Sequence, residues 1–81
     1  MDFVIHEIKI ETVYYEAIVS GNKTCEIRFN DRNYQKGDLL KFIDSIYSGV
    51  LSGTWEITNV HSGIGLKEGF VSLSIKQKKG E

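Results

Sequence analysis

The run Val13-Tyr14-Tyr15-Glu16-Ala17-Ile18-Val19-Ser20-Gly21-Asn22-Lys23-Thr24-Cys25-Glu26-Ile27-Arg28-Phe29 changes its hydrophobic period halfway along, and that change decides the fold. In the first half Val13, Tyr14, Ala17 and Ile18 form an apolar stripe at helical spacing, with Thr12 as the expected N-cap and Gly21 as the stop. From Thr24 to Phe29 the period is two. Cys25, Ile27 and Phe29 are therefore expected to face the core, and Thr24, Glu26 and Arg28 to face the other way. A helix of about two to three turns is marginal alone in water, so it has to be stabilised by packing on a sheet.

Working outward from this run, Phe3–Ile10 reads as a strand with His6, Ile8 and Ile10 on its apolar side and Glu7 and Lys9 opposite. After it, Asn30-Asp31-Arg32-Asn33 is turn-rich, and Lys36-Gly37-Asp38 is a tight-turn signal that launches a strand over 39–46. Ser48-Gly49 and Ser52-Gly53 bracket a loop around Val50 and Leu51. Trp55 and Ile57 then alternate with Glu56 and Thr58 in a further strand. Ser62–Gly69 is a glycine-rich connection, and Phe70–Ile75 closes the chain with Val71, Leu73 and Ile75 on one face. The fold class expected is α+β, mainly β: a small barrel of about five strands with one helix after the first, because closure removes the exposed edges that a short open sheet would leave.

At 81 residues the chain has room for one core, so a single domain over 1–81 is expected, with the charged stretch 76–81 as a frayed tail. The lone Cys25 cannot form an internal disulfide, and His6 and His61 are too far apart in sequence to suggest a metal cluster; neither a metal nor another cofactor is expected. The first four residues carry no basic or apolar leader, and no run of apolar residues is long enough to span a membrane, so the expected location is the cytoplasm. A net charge of −1 argues against coating duplex DNA, which needs many neutralised phosphates. Any contact with a nucleic acid has to be local. Basic residues do gather at Lys23, Arg28, Arg32, Lys36 and Lys41.

The candidate site is built from that cluster. Glu26 and Arg28 lie two residues apart on one strand face, within about 7 Å by strand geometry, with Lys23 at the helix exit beside them. Arg28 offers planar donors to a phosphate or base edge, Lys23 a point charge, and Glu26 an acceptor for amino groups. The plainer reading is a Glu26–Arg28 pair across a solvated face, which adds little stability. Asp31 and Arg32 extend the rim, or Asp31 closes an Asx-turn. His6 is either a group at the cleft mouth or a satisfied core histidine. Cys25 is expected to be buried and inert, Phe42 and Trp55 to be core, and Tyr34 and Tyr47 to lie near loops where they either stack on a base or cap the core. The run Gly63–Gly69 leads to a strand, with the wrong spacing for a phosphate-binding glycine loop.

The segment Gly21-Asn22-Lys23-Thr24-Cys25-Glu26-Ile27-Arg28 resembles the signature of ASCH domains, Gly-x-Lys-Thr-x-Glu-x-Arg, which follows a helix and enters a strand. His6–Ile10, Asn30-Asp31-Arg32, Lys36-Gly37-Asp38 and Gly65–Gly69 add ordered agreement over nearly the whole chain, and the match is to a branch of small stand-alone proteins. The resemblance implies a PUA-like β-barrel with a cleft beside the helix that binds RNA or a nucleotide-derived small molecule, and the residues expected at that cleft are Lys23, Glu26 and Arg28, with Asp31, Arg32 and His6 as the further candidates. It also implies an alternative, because some small relatives are amidohydrolases that deacylate acetylcytidine with a lysine, a threonine and a glutamate. The lysine is matched by Lys23. The threonine position holds Glu26, so the enzymatic version would use Lys23 as base and Glu26 or Glu68 as acid–base partner. A third possibility is a protein-interaction adaptor, which would carry a dominant exposed apolar patch.

Overall fold

A computed structural model of the chain describes residues 4–79. Strand β1 (Ile5–Ile10) is followed by helix α1 (Thr12–Val19), then β2 (Cys25–Phe29), β3 (Leu39–Asp44), β4 (Trp55–His61) and β5 (Phe70–Gln77). The strands form one five-stranded sheet in the order β1-β3-β4-β5-β2. β1 and β3 run parallel, and the other neighbours are antiparallel. The sheet curls into a half-barrel, as expected of a mainly β fold with one short helix. Its two edge strands are β1 and β2, joined in sequence by α1.

The concave side holds the core. Ile8 and Ile10 of β1, Leu40 and Phe42 of β3, Trp55 and Ile57 of β4, and Val71, Leu73 and Ile75 of β5 are all buried. Phe42 meets Trp55 edge-to-face at 5.3 Å between ring centroids, and Tyr15 of α1 packs edge-on against both. Strand parity assigns all of these but Leu40 and Tyr15 to the interior. Tyr34 joins them as a buried ring beside His6, although its loop position in the sequence left open a role in stacking on a base.

β2 departs from expectation. Glu26 is only 7% exposed, whereas Ile27 is 54% and Phe29 56% exposed, and Cys25 is half-buried. The face of the strand is therefore the reverse of the one read from its own apolar residues. Its register with β5 explains the reversal: Glu26 stands opposite Leu73 and Arg28 opposite Val71, and residues directly opposite each other point to the same side of a sheet. Since β5 commits Val71, Leu73 and Ile75 to the core, β2 has to turn Glu26 and Arg28 inward.

Smaller differences have local causes. The helix starts at Thr12 itself, with Glu11 at the N-cap and no side-chain cap; the Thr12 hydroxyl instead donates to Asp44 Oδ2 at 3.4 Å. Ile18 and Tyr15 face the core while Val13 and Tyr14 are exposed, because this single short helix rests on the sheet along a narrow line. β3 ends at Asp44 rather than 46, since Asp44 Oδ1 accepts the backbone N–H groups of Ile46 (2.7 Å) and Tyr47 (3.1 Å) and turns the chain. Those two donors hold the Asp44 carboxyl below the ordinary carboxylate range. Lys76 and Gln77, assigned to a frayed tail, continue β5 by pairing with Glu56 and Trp55, and Lys78 N–H donates to Thr54 O at 2.8 Å. Phe3 and the last two residues of the expected tail lie outside the described residues.

The β3–β4 connection has one glycine that the core depends on. Gly53 has φ of +96°, and a Cβ there would come within 2.8 Å of the Trp55 ring, while Gly49 has open space around it. Gly53→Ala is expected to lower stability by about 1–2 kcal/mol, because both the backbone region and the Trp55 ring resist a side chain. Gly49→Ala serves as the control, changing stability by less than about 0.5 kcal/mol in the same urea titration.

Candidate functional site

The inward turn of β2 places a carboxylate in the wall of the barrel, and its neighbours have to neutralise it. Lys23 Nζ donates to Glu26 Oε1 at 2.9 Å and Arg28 Nε to Glu26 Oε2 at 2.8 Å. Each carboxylate oxygen thus has its own cation. Lys23 also donates to the Cys25 carbonyl, and it is positioned by the helix exit: Gly21 takes φ of +86°, and Lys23 N–H returns to Ala17 O at 3.0 Å. The three heads named by the sequence motif converge.

Arg28 reaches further, across the gap between the two sheet edges. Its Nη2 donates to the carbonyl of Lys9 on β1, and Arg32 Nη1 donates to the carbonyl of Glu7 at 2.6 Å. Successive carbonyls on a strand point to alternate sides, so those of Glu7 and Lys9, two residues apart, lie on the same edge of β1. That edge faces β2, with which β1 has no ladder. Two guanidiniums therefore act where backbone N–H groups would act in a closed barrel, and a chain of bonds runs from Lys23 through Glu26 and Arg28 to β1.

Two hollows flank this seam. On one side Tyr14 of α1 stands over Lys23, Glu26, Cys25 and Ile27, and the same tyrosine reaches the space between Arg28, Ile10 and Ser45. On the other side Lys9, Arg28, Asp31, Arg32 and Tyr34 line a hollow together with Glu7 and Phe29. Three cations and two carboxylates border it, giving a local positive excess on a chain whose net charge is −1. The Tyr34 hydroxyl holds its proton above the ordinary tyrosine value of 10.0, because burial outweighs the opposing pull of Arg32 and Arg28.

The remaining candidates are placed less centrally. His6 Nε2 bonds Asp38 Oδ2 at 2.8 Å inside the barrel, and the same oxygen accepts the Gln35 N–H at 3.0 Å. It sits edge-on to Tyr34, 4.7 Å between ring centroids, as a satisfied core histidine. Asp31 and Arg32 lie at the rim. The side chain that caps this turn is Asn30, whose Oδ1 accepts Tyr34 N–H at 2.9 Å. Glu68 is in the connection that leads to Gly69, which packs on Phe29 at the end of β2 remote from Lys23, so the structure does not bring it to the triad. Tyr47 is on the surface. Among the described residues no three His, Cys, Asp or Glu side chains gather as metal ligands would, and no helix is long and apolar enough to cross a membrane.

Sequence reasoning did not find the Lys9 carbonyl as a partner of Arg28, nor Tyr14 as a wall of a hollow, and it named Tyr34 only as a loop residue that either stacks on a base or caps the core. A main-chain acceptor leaves no mark in residue identity. Asp38 was visible only as a turn residue, and its bond to His6 spans 32 positions.

Fold and site together define a class: a small curled sheet whose free β1 edge is met by two guanidiniums, one of them held by a buried carboxylate, with a charged hollow beside them. The chain belongs to the family described as "Domain of unknown function (DUF3850)", whose model matches residues 5–75. It is similar to the "Uncharacterized 12.9 kDa protein in GpA 3'region" of Escherichia phage P2, with 35% identity over 48 residues. That match covers 56% of this chain and 44% of the phage protein, so the chain spans less than half the length of this relative.

The seam makes two measurements informative. Arg28→Ala leaves Glu26 with one cation and frees the Lys9 carbonyl, and is expected to lower stability by about 1.5–3 kcal/mol in urea; Arg28→Lys recovers little of it, since an ammonium cannot serve both directions of the fork. For Tyr34 the sign is fixed by a folded value raised above the unfolded one. Its contribution is complete below pH 10.0 and is lost as pH rises through the folded value. In an alkaline titration followed at the phenolate absorbance, one of the four tyrosines ionises late, and Tyr34→Phe removes that late step.

Proposed function

We propose that the chain is an ASCH-like, PUA-like binding module for single-stranded RNA or a modified nucleoside, working at the seam hollow beside the Gly21–Arg28 motif in the cytoplasm. The observation that carries the reading is the placement of the Arg28 and Arg32 guanidiniums on adjacent carbonyls of one strand edge, at the border of a hollow walled by Tyr34. Held this way, the two planar groups lose little freedom on meeting a ligand. Each guanidinium has five N–H donors, of which those to Glu26, Lys9 and Glu7 occupy only part. The rest suit phosphate oxygens or a base edge, and a guanidinium plane suits a base face. Asp31 at the rim is the acceptor for a base amino group.

The division of labour differs from the one the motif alone suggests. Glu26 is engaged by two cations and serves as the anchor that orients Arg28. Lys23, turned onto Glu26 and the Cys25 carbonyl, is a positioning residue. Arg32, exposed at the rim and bonded to β1 through one donor, is the side chain nearest to a direct ligand contact.

Deacylation of a small acylated nucleoside has one observation in its favour, the hollow shared by Tyr14, Lys23 and Glu26. Against it, Lys23 already donates to two acceptors, and Glu26 stands where the enzymatic relatives carry their threonine.

The test is direct binding. Short single-stranded RNA is expected to bind the chain and to weaken as salt rises, duplex DNA to bind poorly, and Arg32→Ala to cost at least about tenfold in affinity with little change in unfolding midpoint. The same preparation is expected to release no cytidine from acetylcytidine. An Arg32→Ala protein that binds RNA as tightly as the parent, or a parent that does not bind it, removes the proposal; cytidine release turns the assignment to the hydrolase.

A further inference from the structure

Tyr34 also walls a second hollow, where Asn30, Gln35, Lys36, Asn59 and Phe70 come together. The two hollows thus share Tyr34 as a lining residue. Their chemistry differs. The seam hollow is bordered by five charged side chains, whereas the second has a single charged lining residue, Lys36, among three carboxamides, the Ser62 hydroxyl and apolar walls from Val60 and Val71. With no carboxylate in its lining it neither repels an anion nor attracts a metal ion.

The carboxamides are set in place by the backbone around them. Asn30 gives its oxygen to Tyr34 N–H at 2.9 Å, which turns its NH2 group away as a donor. Gln35 uses its NH2 group on Asn33, at 3.0 Å to Oδ1 and 3.3 Å to the carbonyl, which leaves its oxygen as an acceptor. Asn59 follows a break in the β4–β5 ladder: Ile57 stands opposite Ile75 but Asn59 opposite Ser74, so β4 carries one extra residue there. A bulge of this kind re-aims the side chain that follows it. An oriented donor, an oriented acceptor and a re-aimed amide beside an aromatic ring form a pattern that reads the hydrogen-bonding edge of a planar base, with Lys36 available to a phosphate.

We infer that this second hollow takes the base of a neighbouring nucleotide, so that the ligand of the chain is a single strand of two or more nucleotides and not a free nucleoside. The inference rests on the seam reading above and extends it along the strand: the arginines hold one nucleotide, and the carboxamide hollow reads the next.

The experiment compares adenosine monophosphate with a tetra-adenosine ribonucleotide by calorimetry, on the parent chain, on Arg32→Ala and on the double variant Gln35→Ala/Asn59→Ala, with Lys36→Ala as an independent change in the same hollow. The parent is expected to bind the tetranucleotide at least about tenfold tighter than the mononucleotide. The double variant is expected to lose that advantage while binding the mononucleotide as the parent does, Lys36→Ala to lose part of it, and Arg32→Ala to weaken both ligands. If the tetranucleotide binds no tighter than the mononucleotide, or the double variant and Lys36→Ala both retain full tetranucleotide affinity, the inference is overturned and the seam reading stands. If neither ligand binds the parent, or Arg32→Ala changes neither, the seam reading falls and this inference with it.

Discussion

A carboxylate facing the inside of a barrel wall is costly unless each oxygen is answered, and Glu26 is answered twice. From that requirement much of the molecule follows. Lys23 has to stand at the helix exit, which fixes where α1 ends and why Gly21 takes a left-handed conformation. Arg28 has to lie along the inner face of β2, and from there its far end meets the free edge of β1. The guanidinium is then both the counter-ion of a buried acid and a substitute for the hydrogen bonds that two unpaired sheet edges lack. Edge strands left open invite pairing with other chains. Here Arg28 and Arg32 cover the β1 edge at Lys9 and Glu7.

This arrangement couples fold and proposed function. A rigid guanidinium is the better ligand for a planar anion or base because its orientation is settled before binding. The residues that give Arg28 that rigidity, Glu26 and Lys23, therefore have a structural reason for their places beside it. The adaptor possibility required a dominant apolar surface. Exposed apolar side chains include Ile27 and Phe29 on the outer face of β2, Val13 and Val19 on α1, and Ile46, Val50 and Ile64 in connections, with Phe29 meeting Phe70 at 5.5 Å between centroids, while the hollow beside Arg28 and Arg32 is bordered by five charged side chains.

The order of elements, the inward faces of β1, β4 and β5, and the grouping of Lys23, Glu26 and Arg28 were legible because alternation and turn residues are local signals. The face of β2 was not. Read alone, Cys25, Ile27 and Phe29 are the natural inward residues; only the pairing with β5 across more than 40 positions shows that Glu26 shares a side with Leu73. The convergence of the three heads was inferred from an outward strand face, whereas it arises on the inward one. Likewise the partners of Arg28, Arg32 and His6 are a carbonyl, a carbonyl and a turn aspartate, none of which is marked by residue type or spacing.

The most direct measurement is a double-mutant cycle on Glu26→Gln and Arg28→Met, followed by urea unfolding of all four proteins. If the buried pair holds the sheet edges together, the two changes are strongly non-additive, with a coupling of about 1.5 kcal/mol or more. Additivity within about 0.5 kcal/mol would mean that the two side chains contribute independently, and that the seam is closed by something other than this pair.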